Sequence, residues 1–209
     1  MNQVSKQPRA IDENEVSTTV GNRNYVRATG DFNIQTGENA AVRINAMTTQ
    51  ADNNGIAATY RFGIGTADEF SLGLYSMKNN NGMNYGIPWI RPTATYPVSN
   101  TTINSRFDPS AYFGMASDVN AGSAQHLSAS HTHRFQDEGE VKTSIRSGRY
   151  KRNQRASAVR MVAGTSLANF SDATVLNRGT QLKIQDLNTP DLQSDYSASS
   201  RPWGLPMSR

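Results

Sequence analysis

One strand pattern recurs along this sequence, with apolar and polar residues alternating over segments of about ten residues. In the segment YVRATGDFNIQ, apolar or small residues from Val26 to Ile34 alternate with polar residues from Arg27 to Gln35. The same alternation returns in two further segments, 40–47 and 56–64. Successive side chains of a strand point to opposite faces, so each segment has one apolar and one polar face. Strands of this length and pattern are typical of transmembrane β-barrels.

The joins between these segments favour a membrane barrel over a soluble sandwich. Short joins, rich in Gly, Asn, Asp and other turn-forming residues, are predicted at 36–39, 65–68 and 136–139. Longer joins are predicted at 48–55, 78–123 and about 149–179, whereas the first join, 21–24, is short. Outer-membrane barrels have short turns on the periplasmic side and long loops outside. We therefore expect the three short joins to be periplasmic and 78–123 to be extracellular.

The alternation also predicts strand positions and the two faces of the sheet. Eight strands are expected, at about 15–20, 25–35, 39–48, 55–65, 69–77, 125–135, 140–149 and 179–187. Phe32, Ile44 and Phe62 should face lipid. The residues expected to line the lumen, pairing with one another or with a plug, are Arg27, Asp31, Arg43, Asn45 and Arg61.

Composition excludes several classes of protein. The 209 residues include no cysteine, so disulfides, thiolate metal sites and a cysteine nucleophile are excluded. No run of eighteen apolar residues predicts a transmembrane helix. No spacing of Ser, His and Asp suggests a catalytic triad, so we predict no enzyme, no catalytic residue and no cofactor. The net charge is +4, and the basic residues are densest at 146–160. We interpret this run as a solvated loop mouth that attracts anions, and we predict no nucleic-acid partner.

Several stretches together carry a resemblance to a known family. The opening NQVSK at 2–6 resembles the N-x-V-[ST]-K strand that ends the plug domain of TonB-dependent outer-membrane receptors. The following stretches are similar to the first barrel strands of the ferric-siderophore branch: VRATGDFN, AAVRINAM, YRFGIGTADEFSLGLY, NYGIPWI, YFGMASD and SHTHRF. They cover most of 2 to about 196. The NYGIP stretch is most similar to receptors for catecholate-type siderophores.

The resemblance implies a fold, a location and partners. The fold class is all-β, an antiparallel meander that forms part of an outer-membrane β-barrel, with about eight strands of a larger one. The location is the outer membrane of a Gram-negative cell. The partners are a ferric siderophore, outer-membrane lipid and the TonB complex, the last through an N-terminal plug region that this chain lacks.

The resemblance also divides the chain into three parts. Residues 1–12 are expected to be the end of the plug, and 13–197 the first part of the barrel. Residues 198–209 form a tail unlike the family, which we interpret as out of frame, with Pro202 and Pro206 where another strand should begin. We therefore expect a fragment of a siderophore receptor that is insoluble or degraded alone and does not transport.

Two groups of side chains are candidates for binding. The long join predicted at 78–123 offers aromatic faces for stacking and guanidinium groups for an anionic, aromatic iron catecholate, namely Tyr85, Trp89, Arg91, Tyr96 and Arg106. The alternative is that its aromatic residues belong to the interfacial belt. His131 and His133 share one face of a strand, but no third ligand is near in sequence, so we expect no metal site.

Two other functions remain open from the sequence. One is a structural or adhesive β-sheet module that binds only at its surface. The other is a small passive porin-like barrel of about eight strands, although such barrels fill their interior with side chains. The plug-end motif at 2–6 favours the receptor over both alternatives.

Overall fold

The computed structural model describes residues 6–22, 24–50, 52–84, 86–97, 101–136 and 138–198. In these ranges the chain is all-β, and eight strands form one sheet in the order β1-β2-β3-β4-β5-β8-β9-β10. The strands of this sheet are β1 (Glu13–Val20), β2 (Val26–Gly37), β3 (Ala40–Thr49), β4 (Asn54–Phe62), β5 (Asp68–Asn81), β8 (Val119–Arg134), β9 (Glu140–Met161) and β10 (Leu176–Ser197). Two short strands, β6 (Trp89–Ile90) and β7 (Thr102–Ile103), pair with each other. The predicted antiparallel meander is confirmed.

The chain divides into two compact units. The first, which we call the sheet unit, comprises Met1–Lys78, Ser123–Tyr150 and Leu187–Arg209. The second, the loop unit, comprises Asn79–Gly122 and Lys151–Asp186. β6, β7 and the two long joins belong to the loop unit. No helix in the described ranges is long and apolar enough to span a membrane.

The register of the first five strands separates apolar from polar side chains. Phe32 lies opposite Ile44, and Ile44 lies opposite Ala58. Asp31 lies opposite Asn45. Because side chains alternate along each strand, these pairings extend into two continuous faces. We call the face that carries Phe32, Ile34, Ile44, Phe62, Leu72 and Leu74 the apolar face, and the one that carries Asp31, Asn33, Arg43, Arg61 and Glu69 the polar face.

A glycine turn between β4 and β5 fixes part of this register. Gly63 has a φ of 71°, a conformation that favours glycine. A Cβ at this position would lie 2.1 Å from the carbonyl oxygen of Asp68. The Thr66 hydroxyl donates hydrogen bonds to the carbonyls of Gly63 and Asp68, both at 2.8 Å. The turn therefore closes tightly and starts β5 at Asp68.

Three predicted joins are too long. The join predicted at 48–55 is the short turn 50–53, because the pairing of β3 with β4 continues as far as Thr48 opposite Asn54. The join predicted at 149–179 shrinks to 162–175, since β9 and β10 are each 22 residues long. The join predicted at 78–123 is 82–118 and contains β6 and β7.

The basic run at 146–160 is a strand rather than a loop mouth. It lies within β9, where exposed residues such as Arg155 alternate with buried Gln154 and Ala156. The sequence argument missed this strand because its buried positions are small or polar and give no apolar alternation. The tail predicted at 198–209 lies outside the described residues, apart from Ala198.

Candidate functional site

A buried ion pair lies on the polar face of the sheet unit. The Arg43 guanidinium donates from Nε to Asp31 Oδ1 at 2.8 Å and from Nη2 to Oδ2 at 2.7 Å. Lys6 Nζ donates to the same carboxylate at 2.6 Å. This fork geometry is the strong form of an Arg–carboxylate contact. Of the residues predicted to line the lumen, Asp31 and Arg43 do pair with each other.

A second charged cluster lies on the same face. Arg61 Nε donates to Glu69 Oε1 at 2.6 Å, and Arg134 Nη2 lies 3.4 Å from Glu69 Oε2. Arg134 Nε also lies 3.0 Å from a carboxylate oxygen of Glu140. The Glu69 side chain is only 8% exposed. Sequence alternation identified Arg61 but not Glu69 or Arg134, because their pairing depends on β8 lying beside β5.

Residues 6–12 lie against this polar face, and their backbone carbonyls accept hydrogen bonds from its side chains. Asn33 is fully buried, and its side-chain amide donates to the carbonyl of Arg9 at 2.8 Å and accepts from the Arg9 N–H at 3.0 Å. Arg43 and Arg61 donate to the carbonyls of Gln7 and Pro8 at 3.3 and 3.2 Å. This irregular segment is thus held by side chains from three strands, β2, β3 and β4.

The apolar face is exposed instead. Val16, Leu72 and Leu127 are 71%, 53% and 67% exposed, whereas Arg43 on the polar face is 9% exposed. The sheet unit also holds a cavity of about 690 Å³, lined mainly by apolar side chains that include Tyr60, Leu72, Leu74, Leu127 and Ile145. Its charged lining residues, Arg146 and Asp191, have opposite signs. Such a lining suits hydrocarbon better than an anionic chelate.

Three of the residues predicted to contact a ligand lie close in sequence in the loop unit. Trp89 and Arg91 flank Ile90, which is 2% exposed and anchors β6. Arg91 forms a parallel bridge with Ser166 and donates from Nη1 to the carbonyl of Tyr96 at 3.2 Å. The Trp89 and Tyr96 side chains are about half exposed. Tyr85 lies outside the described residues.

Arg106 belongs to an aromatic cluster in the same unit. Its guanidinium carbon lies 6.0 Å from the ring centre of Phe170. Phe107 contacts Phe113 and Phe170 edge to face, with ring centres 5.3 and 5.5 Å apart. These contacts tie the joins 82–118 and 162–175 together. The structure therefore brings Arg91 together with Tyr96 and Arg106 together with Phe170.

Asp118 fixes the end of the first long join. Its carboxylate accepts hydrogen bonds from the Ser157 hydroxyl at 2.8 Å and N–H at 3.0 Å, from the Met115 N–H at 3.1 Å and from the Tyr112 hydroxyl at 3.2 Å. Burial opposes ionisation of Asp118, but these donors outweigh it and lower the pKa of the carboxyl below 3.8. No pattern in the sequence predicted this contact, since Ser157 lies 39 residues away.

The cluster richest in metal-ligating atoms lies in the sheet unit. His131 Nε2 and His133 Nδ1 each lie 2.8 Å from Asp68 Oδ1. The expectation of no third ligand rested on nearness in sequence, and Asp68 is 63 residues from His131. Pairing of β5 with β8 brings it there. His126, the remaining histidine of the chain, stacks on Tyr75 with ring centres 4.8 Å apart.

Curated relatives with sequence similarity include catecholate siderophore receptors. The chain is 27% identical over 214 residues to the catecholate siderophore receptor Fiu of Escherichia coli O157:H7, and 25% identical to that of strain K12. Each match covers 96% of this chain and 28% of the relative. It is 32% identical over 117 residues to the probable TonB-dependent receptor BfrD of Bordetella pertussis, covering 51% of this chain and 16% of that protein. No family model matches the chain.

Solved structures of similar fold come from the same class of protein. The closed form of the ferric-catecholate import receptor Fiu from E. coli K12 matches with a TM-score of 0.79 at 20% identity, over 95% of this chain and 30% of that one. The siderophore receptor PiuA from Acinetobacter baumannii matches with a TM-score of 0.78 at 18% identity, over 95% and 29%. These likenesses identify the fold as part of a receptor barrel.

The comparisons confirm the resemblance that the sequence motifs predict. The relatives are catecholate siderophore receptors and a probable TonB-dependent receptor, which are transporters rather than enzymes. The chain spans 28% of the length of the catecholate receptors that it matches.

Proposed function

We propose that this chain, a homologue of TonB-dependent catecholate siderophore receptors, forms part of the barrel wall of an outer-membrane receptor for ferric siderophores. The observation that carries the proposal is the inverted burial of the sheet unit. A water-soluble sheet buries its apolar face and exposes its polar one. Here Arg43 and Glu69 are buried, while Leu72 and Leu127 are exposed. Hydrocarbon outside and polar contacts inside make that arrangement favourable.

The proposal assigns residues 6–12 to the end of a plug inside the barrel. Support comes from Asn33, Arg43 and Arg61, which hold this segment against the polar face through its backbone carbonyls. Charged residues that face a lumen can bind a plug, whereas charged residues that face lipid are costly. Coupling to TonB would then act through chain that precedes this segment in a complete receptor.

The ligand in this proposal is a ferric siderophore of the catecholate type, taken up at the outer mouth. The loop unit offers partly exposed aromatic rings and guanidinium groups at Trp89, Arg91, Tyr96 and Arg106. Catecholate complexes of iron are anionic and aromatic, so they suit cation pairing and ring stacking. The turns 63–67 and 135–139 would lie on the periplasmic side, as the loop lengths predict.

Transport requires more strands than this sheet contains. β1 and β10 lie at its two edges, and each edge leaves backbone N–H and C=O groups without sheet partners. In hydrocarbon each such group costs several kcal/mol, so an open sheet does not span a bilayer alone. We therefore propose that the 209 residues alone do not support uptake. Restored growth on a ferric catecholate, in cells that lack their own receptors and produce only this chain, would contradict that statement.

Binding of the ligand can be measured through tryptophan fluorescence. The chain has two tryptophans, so Trp203→Phe leaves Trp89 as the only one. Ferric catecholate should quench Trp89 emission in detergent micelles, and Arg106→Ala should weaken binding about tenfold, because one charged contact is lost. Lys142→Ala is the matched control, since it removes the same charge from the sheet unit. Equal weakening by both variants, or none by Arg106→Ala, would contradict the assignment of Arg106.

A further inference from the structure

We propose that Asp68, His131 and His133 form a binding site for a divalent transition-metal ion. One atom from each residue can act as a ligand, and the three atoms lie within 4.8 Å of one another. Asp68 begins β5, whereas both histidines lie near the end of β8. The two strands are neighbours in the sheet, so the ligands come from two elements that the backbone already holds together.

The distances between the ligand atoms suit coordination. Asp68 Oδ1 lies 2.8 Å from both His131 Nε2 and His133 Nδ1. Metal–nitrogen and metal–oxygen bonds of about 2.0–2.2 Å place tetrahedral ligands about 3.3 Å apart. To admit an ion, Asp68 Oδ1 would move about half an ångström away from each nitrogen, and the two nitrogens, which lie within 4.8 Å of each other, would adjust toward the same spacing. The side chains are 39–50% exposed, so they can make that movement and water can fill the remaining positions.

The backbone around Asp68 is fixed before any ion binds. The Arg134 N–H donates to the carbonyl of Ala67 at 2.8 Å, and Arg134 Nη1 donates to the carbonyl of Thr66 at 3.1 Å. The Thr66 hydroxyl also donates to the carbonyl of Asp68. These bonds join the start of β5 to the end of β8 next to the site. Little ordering entropy is then lost when the three ligands gather around an ion.

Aromatic neighbours hold both imidazole rings. His131 stacks on Phe70 with ring centres 4.4 Å apart, and His133 contacts Phe135 edge to face at 4.6 Å. Contacts of this kind restrict ring rotation and keep the nitrogens directed at Asp68. Orientation of ligand side chains by their neighbours is a usual feature of metal sites.

The donor set indicates the class of metal. Two imidazole nitrogens and one carboxylate oxygen suit Zn²⁺, Cu²⁺, Ni²⁺ or Fe²⁺, whereas Mg²⁺ prefers oxygen ligands alone. Three protein ligands leave at least one position for water or another ligand. A bound ion would link Asp68 to His131 and His133, which follow it in sequence by 63 and 65 positions. It would therefore bridge the longest join between the described strands. Because an ion that binds only the folded state stabilises it, the site would pin β5 beside β8.

The test uses a complete receptor barrel that contains this chain, in lipid bilayers, with Zn²⁺ as the probe. Diethyl pyrocarbonate modifies accessible imidazole nitrogens, and mass spectrometry reports each of the three histidines separately. Zn²⁺ should protect His131 and His133 and leave His126 unchanged, because His126 shares the other face with Tyr75. Mg²⁺ should protect none of them.

Two variants decide the outcome. Asp68→Asn keeps the size of the side chain but removes its charge, and it should raise the Zn²⁺ concentration for half-protection at least about tenfold. His126→Asn is the matched control and should leave that concentration unchanged. Absence of protection, equal protection of all three histidines, or unchanged protection in Asp68→Asn would each overturn the proposal.

Discussion

The two faces of the sheet unit differ in whether their side chains are buried or exposed. On the polar face, Asn33 and Arg43 are buried and hydrogen-bonded to residues 6–12. On the apolar face, Val16 and Leu72 are largely exposed. Both faces arise from the same alternation, so the pattern decides which side chains share a face but not which face is covered. The cover on the polar face is what distinguishes a barrel wall from an ordinary soluble sheet.

The largest effect should come from the buried ion pair on the polar face. Arg43→Ala leaves Asp31 buried with only Lys6 as a cationic partner, and both side chains of the pair are 10–12% exposed. Loss of one partner of a buried pair costs about 3–5 kcal/mol, and we expect the lower end because Lys6 remains. Lys6→Ala removes a 57% exposed partner of the same carboxylate and should cost less than about 1 kcal/mol. Chemical denaturation measures both, and equal costs would contradict a covered polar face.

The next largest effect should come from a charge placed on the apolar face. In an intact receptor that contains this chain, Ile44→Arg should lower the free energy of unfolding in bilayers by about 2–4 kcal/mol if position 44 lies near the midplane. Asn45→Arg is the matched control, because residue 45 neighbours Ile44 in β3 but belongs to the polar face. Asn45→Arg should lower the free energy of unfolding by less, because residue 45 lies away from lipid. A larger cost at position 45 than at 44 would reverse the two faces.

A smaller effect should come from the turn that keeps the faces in register. Gly63 and Gly65 both have a positive φ. In Gly63→Ala the added Cβ would lie 2.1 Å from a backbone oxygen, whereas in Gly65→Ala the added Cβ would have no atom within 4 Å. The positive φ alone costs about 1–2 kcal/mol. Gly63→Ala should therefore destabilise the protein more than Gly65→Ala, and the difference measures the close approach. Equal costs in thermal unfolding would show that the contact with Asp68 does not constrain the turn.

The loop unit should show the smallest effect, as a dependence on pH. The pKa of Asp118 is lowered in the folded state, so its contribution to stability is present above pH 3.8 and is lost as pH falls below that value. Hydrogen exchange at the Ser157 amide should accelerate over that range relative to its intrinsic rate. Asp118→Asn should remove the dependence, while Asp108→Asn should not, because the Asp108 carboxylate accepts its hydrogen bonds from Ser110, two residues away. An unchanged profile in Asp118→Asn would contradict this role.

Strand positions in the sheet unit could be predicted from the sequence where apolar side chains recur on one face. Strands β2 to β4 match their predicted positions within about two or three residues, because Phe32, Ile44 and Phe62 follow the period of a strand. β9 was predicted to end at 149 but continues to Met161, since its second half buries Gln154, Ala156 and Ser157. A pattern based on hydrophobicity cannot detect a strand whose buried side chains are small and polar.

The candidate site was predictable only in its residue types. Aromatic and cationic residues mark the long join, but the contact of Arg106 with Phe170 links it to the second long join, and the contact of Asp118 with Ser157 links it to β9. The third potential metal ligand, Asp68, lies across a strand pair from His131. Such contacts depend on tertiary pairing, which the period of one segment does not encode.

Lipid exposure of neighbouring positions in β3 tests the central claim most directly. This chain has no cysteine of its own, so within an intact receptor that contains it a single nitroxide label can be attached at Ile44→Cys or at Asn45→Cys. In bilayers, oxygen concentrates in hydrocarbon, whereas a charged nickel chelate stays in water. The label at 44 should collide mainly with oxygen, and the label at 45 should be shielded from oxygen. Stronger oxygen collisions at 45, or equal collisions at both positions, would contradict a sheet whose apolar face meets lipid.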